Sequence, residues 1–162
     1  MATETKPRAR WTPEFLGEFE ALVQAGREVS TVGLSGRIGN AHSLVGHFED
    51  NQLVAVAAVK NPLASYRAKL RKGTGYELAV ERFRYEVGWL YVVPEHQGKR
   101  LSRKLMEACL LAAGSDGVFA TTREDNERMQ KTLKRYGFVQ AGKPYKPERD
   151  KVWLKLFVRE GA

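Results

Sequence analysis

The chain has 162 residues, 43% hydrophobic and 28% charged, which suits one folded domain with a sizeable core and argues against wholesale disorder. No apolar run approaches the roughly 20 residues that span a bilayer, the start MATETKPRARW lacks the apolar centre of a secretory signal, and a single cysteine, Cys109, rules out an internal disulfide, so a cytoplasmic setting is expected. Lys and Arg number 27 against 19 Asp and Glu, a formal charge of +8, which favours an anionic partner (a phosphorylated cofactor, a nucleic acid or an acidic protein), with a solubilising surface as the plain alternative.

Residues 1–10 read as a flexible basic N-terminus and 11–162 as a single domain. Thr12, Pro13 and Glu14 make a helix start: a hydroxyl cap, a proline at the first turn and an acid facing the helix dipole. Phe15, Phe19, Leu22 and Val23 recur at helical spacing up to Gly26. A second, weaker helix is read within 29–44 from Val32, Leu34, Ile38 and Ala41, against the cost of Gly33, Gly36 and Gly39. Ser43–Glu49 and Gln52–Lys60 form a hairpin around Asp50-Asn51, a pair that tolerates positive φ. Residues 63–75 are basic and include a short helix; 78–84 read as a strand, and 86–93, rich in Val, Trp, Tyr and Leu, as a strong one. A helix follows over 99–113, with Leu101, Leu105, Cys109 and Ala112 on one face, so Cys109 reads as buried filler rather than a nucleophile. Then come a strand at 118–122 and a helix over 126–136, capped by Asp125 and ended by Gly137. Strands at 138–141 and 151–158 are joined by the turn-rich segment 142–150. The order of elements gives a mixed α/β sheet.

The informative stretch runs from Leu90 through Pro94 to Ser102. It is a buried strand, a break, a loop with one glycine, and a helix start. Helix starts offer unpaired N–H groups and partial positive charge, so they hold phosphate readily. Lys99, Arg100 and Arg103 lie at this same end, where bases oppose the dipole by a few tenths of a kcal/mol. A bound anion would reverse that penalty.

Leu-x-Val-x-Pro-x-x-Gln-Gly-Lys resembles the strand and acyl-CoA pyrophosphate loop of the GNAT superfamily of N-acetyltransferases. The family loop runs Gln/Arg-x-x-Gly-x-Gly/Ala. Gln97 fits its first position, Arg100 stands at the middle glycine, and Ser102 at the last Gly or Ala. The glycine replaced by Arg100 is the one that lets the backbone approach the pyrophosphate closely. A second segment, Asn126 to Gly137-Phe138, resembles the family's later helix, and the strand before it lies where the family's sheet splays apart. The resemblance covers residues 86–158.

The resemblance implies a GNAT-like acyl-CoA N-acyltransferase fold, with a mostly antiparallel sheet flanked by helices. It also implies direct attack of an amine on acetyl-CoA, or another acyl-CoA, in a ternary complex. Leu90, Tyr91, Val92 and Val93 would hold the pantetheine arm, a backbone N–H near Val92 polarising the thioester. Gln97, Gly98, Lys99, Arg100, Leu101, Ser102 and Arg103 would hold the phosphates, and Asn126 would assist. Glu86, upstream on the same strand and on one face with Gly88 and Leu90, is the candidate base; its plain alternative is a solvated or salt-bridged carboxylate at the sheet margin. The family's acid is a helix tyrosine four residues before the Gly of Gly-Phe, and Leu133 stands there. Tyr136, roughly 60° further round the helix, is the remaining candidate acid, with core packing as the other reading.

The acceptor stays open. Arg67, Lys69, Arg71 and Lys72 suggest a basic acceptor side, suited to an amine on a nucleotide, a nucleic acid or an acidic protein. The rival is a catalytically weak or inactive protein of the same fold that binds nucleic acid or an acidic partner, and a homodimer through the C-terminal strands suits either. His42, His47 and His96 are scattered without metal-ligand spacing, and no Gly-x-Ser-x-Gly elbow points to serine hydrolysis.

Overall fold

The computed structural model describes residues 1–26, 30–147 and 151–162. In chain order the elements are β1 Ala2–Pro7, α1 Pro13–Ala25, α2 Leu34–Gly39, β2 Ser43–Glu49, β3 Gln52–Lys60, α3 Ala64–Thr74, β4 Tyr85–Val92, α4 Leu101–Ala113, β5 Val118–Arg123, α5 Glu127–Arg135, β6 Val139–Tyr145 and β7 Leu154–Arg159. The strands form one seven-stranded sheet in the order β1-β2-β3-β4-β5-β7-β6. The β1–β2, β2–β3, β5–β7 and β6–β7 pairs are antiparallel and β4–β5 is parallel, so the fold is the mixed, mostly antiparallel α/β class expected.

By contacts the chain divides into two compact units, one of residues 1–61 and 87–114, the other of 62–86 and 115–162. In the first, the expected flexible N-terminus is corrected. Ala2–Pro7 pairs residue by residue with Ser43–Phe48 as β1. An edge strand is held by its backbone ladder and tolerates charged side chains, so its polar sequence concealed it. Trp11 Nε1 donates to the carbonyls of Lys6 and Leu44, each at 3.2 Å, tying strand and hairpin together. The Thr12 hydroxyl accepts from the Phe15 N–H at 3.1 Å, capping α1, and Phe15, Phe19 and Val23 are buried. The weak helix read within 29–44 shortens to the six residues of α2, entered through Gly33 at φ 69; Val29 lies outside the described residues. Asp50 and Asn51 take φ 50 and 63, the left-handed turn that the hairpin needs. Phe15, Phe19, Leu34, Ile38, Leu44, Val56 and Trp89 share this unit's core. A Cβ at Gly46 would sit 2.8 Å from the Phe15 ring, so the glycine lets α1 lie down on the hairpin.

In the second unit, Leu70, Leu78, Phe83, Phe119, Ala141, Leu156 and Val158 form the core. Residues 78–84 are not the strand expected. Leu78 and Phe83 point into the core from an irregular segment, and Arg67 of α3 donates to the Leu78 carbonyl at 3.0 Å and the Arg84 carbonyl at 2.9 Å. The Arg67 side chain and turn bonds from the Arg82 and Phe83 N–H groups to the Ala79 carbonyl hold this loop in place of a strand ladder. Helix α5 is capped by Asn126, whose Oδ1 accepts from the Met129 N–H at 3.1 Å; Asp125, the expected cap, instead pairs with Arg123 on the surface. The closing strands are read in the right order, with residues 148–150 of their connection outside the described residues.

Among the described residues no helix is long and apolar enough to cross a membrane, and no group of three His, Cys, Asp or Glu could hold a metal. Cys109 is fully buried in α4 and burial pushes its thiol up to about 12, so it is core filler. Arg67→Met should destabilise the protein by about 3 kcal/mol, because two loop carbonyls lose a charged donor. The midpoint of urea denaturation measures this.

Candidate active site

Helix α4 begins without a side-chain cap, and of its first-turn N–H groups that of Arg103 is met by the Arg100 carbonyl at 3.2 Å. No acid lies in its first turn. The residue at its cap is Arg100, at φ 63 and ψ 24, in the left-handed region. Two residues earlier Gly98 is also left-handed, at φ 83, with nothing within 4 Å of where its Cβ would be. The loop thus keeps a course that favours glycine at position 100 while an arginine occupies it, at a cost of roughly 1–2 kcal/mol. Arg100 is exposed, so the strain lies in the backbone and leaves the guanidinium in solvent beside the helix start.

Side chains fix this loop to the hairpin and to β4. Gln97 donates its amide to the Val92 carbonyl at 3.0 Å, and the Val93 N–H donates to the Val54 carbonyl at 2.9 Å. His96 Nδ1 lies 2.6 Å from Glu49 Oε2 at the end of β2. Burial alone would push the Glu49 carboxyl up, but Lys99, the His96 contact and His47 outweigh it and hold the carboxyl below its ordinary range. Lys99 is therefore drawn toward Glu49 as well as toward any anion on the loop. Leu101 is buried, and Ser102 and Arg103 are half-buried, in the first turn of α4.

Strand β4 is irregular where the chemistry is expected. It pairs with β5 only at Tyr85↔Val118 and Glu86↔Phe119. Trp89 then takes φ 54, which interrupts the pleat between Gly88 and Leu90. The simple alternation read from Glu86 through Gly88 to Leu90 does not survive this break. Lys60 stands 4.5 Å over the Trp89 ring, and a Cβ at Gly88 would come 3.1 Å from the Lys60 chain. Leu90, Tyr91 and Val93 are half-buried and Val92 is buried.

Glu86 is 3% exposed, which removes the reading of a solvated carboxylate at the sheet margin. The Tyr66 hydroxyl donates to its Oε2 at 2.9 Å, and Thr121 hydrogen-bonds both Tyr66 and Tyr145. Burial raises the Tyr66 phenol well above its ordinary value, and the charge of Glu86 raises it further; burial raises Tyr145 likewise. Desolvation lowers the Arg67 guanidinium, against the pull of Glu86 and Glu81. The tyrosines grouped with Glu86 are thus Tyr66 and Tyr145. Tyr136 caps the C-terminal end of α5, half-buried, its carbonyl accepting from Arg159 Nε at 2.9 Å, and Leu133 is buried. Tyr66, Thr121 and Tyr145 were not singled out from sequence; the only trace was Tyr66 four residues before Leu70 on the buried stripe of α3. The basic acceptor side is also reduced, because Arg67 is engaged inside and Arg71 pairs with Glu77 at 3.1 Å. Asn126 spends its side-chain oxygen on the α5 cap.

The seven-stranded mixed sheet flanked by helices, into which this strand, loop and helix start are built, matches the acyl-CoA N-acyltransferase fold. The chain belongs to the GNAT acetyltransferase family, whose model matches residues 7–138. Among solved structures it is similar to an acyl-CoA N-acyltransferase from Pseudomonas aeruginosa, with 18% identity, 98% of each chain covered and a TM-score of 0.72. It is also similar to ElaA of Escherichia coli (14% identity, 98% of this chain and 99% of that one, TM-score 0.70). A GNAT-family acetyltransferase from Streptococcus agalactiae gives 13% identity, 99% and 96% coverage and a TM-score of 0.71. At these identities the likeness is one of fold. No curated protein matches the chain.

Arg100→Gly should fold at least as stably as the parent, gaining up to about 1 kcal/mol, because relief of left-handed strain exceeds the entropy cost of a glycine. Urea denaturation of the two proteins makes the comparison.

Proposed function

We propose that the chain transfers an acetyl or other short acyl group from acyl-CoA to an amine by direct attack within a ternary complex. The observation that carries this reading is the start of α4. It is uncapped, free of acid and preceded by left-handed Gly98 and Arg100, so its N–H groups suit a pyrophosphate and the loop keeps a course that favours glycine where arginine stands. Lys99, Arg100 and Arg103 add charge at that end. The backbone of β4 beyond Glu86, no longer paired with β5, supplies amide groups for the pantetheine arm.

In this reading the amine reaches the site as an ammonium and must lose a proton before it attacks. The buried carboxylate of Glu86 takes that proton, directly or through a water. The nitrogen forms its bond to the thioester carbon while a backbone N–H near Val92 stabilises the oxygen's developing charge. The C–S bond then breaks as the nitrogen gives up its second proton, and the sulfur leaves as a thiolate that takes up a proton in exchange, from that nitrogen through solvent or by way of Tyr136. The acceptor is an amine whose remaining chemistry is left to experiment.

Thermal unfolding tests the donor site. Acetyl-CoA at ~100 times its dissociation constant should stabilise the fold by about 2.7 kcal/mol, a melting shift of several degrees at ~2–4 °C per kcal/mol, and ATP should give far less. Gly98→Glu places bulk and negative charge in the loop and should abolish the shift; an unchanged shift would put the donor elsewhere. Glu86→Gln should keep the shift yet slow CoA release at least 100-fold or so, the usual worth of a general base. The assay is run over a panel of amino acids, arylalkylamines, polyamines and aminonucleosides, and full activity in that variant would remove Glu86 from the mechanism.

A further inference from the structure

We propose that Tyr66 is a positioning residue for Glu86: its phenol, delivered by the first turn of α3, fixes one carboxylate oxygen so that the other is turned to the incoming amine. The inference rests on the reading of Glu86 as base and names what aims it. The contact is direct, 2.9 Å from the Tyr66 hydroxyl to Oε2. It is also braced. The Tyr66 ring packs against Phe119 with centroids 6.5 Å apart, and the Thr121 hydroxyl hydrogen-bonds the same phenol. Tyr145 closes the group from β6, seated against α3 where Gly73 has no side chain: a Cβ there would come 3.0 Å from that of Tyr145. Three elements, α3, β5 and β6, thus converge on one carboxylate of β4.

Among the described residues, groups from three elements face Glu86. Helix α3 supplies Tyr66 and Arg67, β6 supplies Tyr145, and β5 supplies the uncharged hydroxyl of Thr121. Arg67 brings a cation near it, with its guanidinium bonded to the Leu78 and Arg84 carbonyls. The Tyr66 phenol is the group that touches a carboxylate oxygen directly, at 2.9 Å. Tyr66 stays protonated throughout the working pH range, since burial first and the neighbouring carboxylate second oppose its ionisation. It is a lasting donor that neither takes nor gives a proton in the reaction. A carboxylate deprived of such a donor keeps its proton to higher pH.

The test compares the parent, Tyr66→Phe and Glu86→Gln, with the fold of each checked by its melting transition and by the acetyl-CoA shift. With acetyl-CoA and the fastest amine of the panel, Tyr66→Phe should lose about tenfold in kcat near neutral pH, the worth of one hydrogen bond to a charged group. The KM for acetyl-CoA should be unchanged, and the acidic limb of the rate profile should move to higher pH, so that activity recovers in alkaline buffer. A profile of the parent's shape, or a loss equal at every pH, overturns the inference. A second readout needs no acceptor. In protein labelled with carboxyl-13C glutamate, the Glu86 signal at neutral pH, assigned by its absence in Glu86→Gln, should be displaced in Tyr66→Phe relative to the parent, because the carboxyl group loses the phenol at 2.9 Å. Coincident signals overturn the inference even if no amine is turned over. Full activity of Glu86→Gln would instead bring down the base assignment while the signal still decides the Tyr66 contact. If Tyr66→Phe loses its native melting transition, Thr121→Val carries the same two measurements, with a smaller displacement in the same direction expected and none overturning the inference.

Discussion

A carboxylate withdrawn from water at Glu86 is the constraint around which the second unit is arranged. A carboxyl group 3% exposed has to be met by hydrogen-bonding partners. Helix α3 answers this with consecutive residues. Tyr66 gives the carboxylate a hydrogen bond, and Arg67 gives it a nearby positive charge while clasping the loop that leads into β4. The turns at 79–82, the buried Leu78 and Phe83 and the close seating of Tyr145 on Gly73 follow from bringing that helix near enough to do both. The helix thus has two duties, clasping the loop that leads into β4 and supplying the surroundings of a buried carboxyl group.

In the first unit the backbone carries the corresponding strain. Trp89 and Arg100 both hold φ near +60°, one inside a strand and one at a helix start. Residues with a Cβ adopt this region at a cost, and they persist in it where the surroundings over-determine them. Trp89 is fixed by Phe19 beneath it and Lys60 above. Gln97, His96 and Glu49 anchor the loop that ends at Arg100. That these two conformations bracket the stretch from Leu90 to Lys99 accords with a segment shaped to bind rather than only to connect.

Much of this was legible in the sequence because the relevant signals were local. Thr12 capping α1, the left-handed Asp50-Asn51 turn, and the strand, loop and helix from Leu90 to Ser102 each depend on residues within a few positions of one another. Arg100 was readable as a departure at a glycine position, and its left-handed φ gives the physical content of that departure. What escaped was non-local or backbone-driven. The N-terminal strand has no apolar alternation, since its ladder partner and not its side chains stabilises it. Residues 78–84 carried strand-like composition but are held by a guanidinium from α3. The group of residues 66, 86, 121 and 145 is dispersed over eighty positions of chain, and the cationic run around Arg67 hid the buried stripe that brings Tyr66 inward.

The placing of the tryptophans gives the molecule an optical reporter. Trp153 is half-exposed and emits as a solvated indole, whereas Trp11 is locked by two carbonyls and Trp89 lies buried beneath an ammonium. Both of these rings carry an ammonium over one face, Lys6 over Trp11 and Lys60 over Trp89, each 4.5 Å from the ring centroid. The fluorescence of the unlabelled chain is thus sensitive both to the N-terminal strand that carries Lys6 and to the broken strand that carries Trp89.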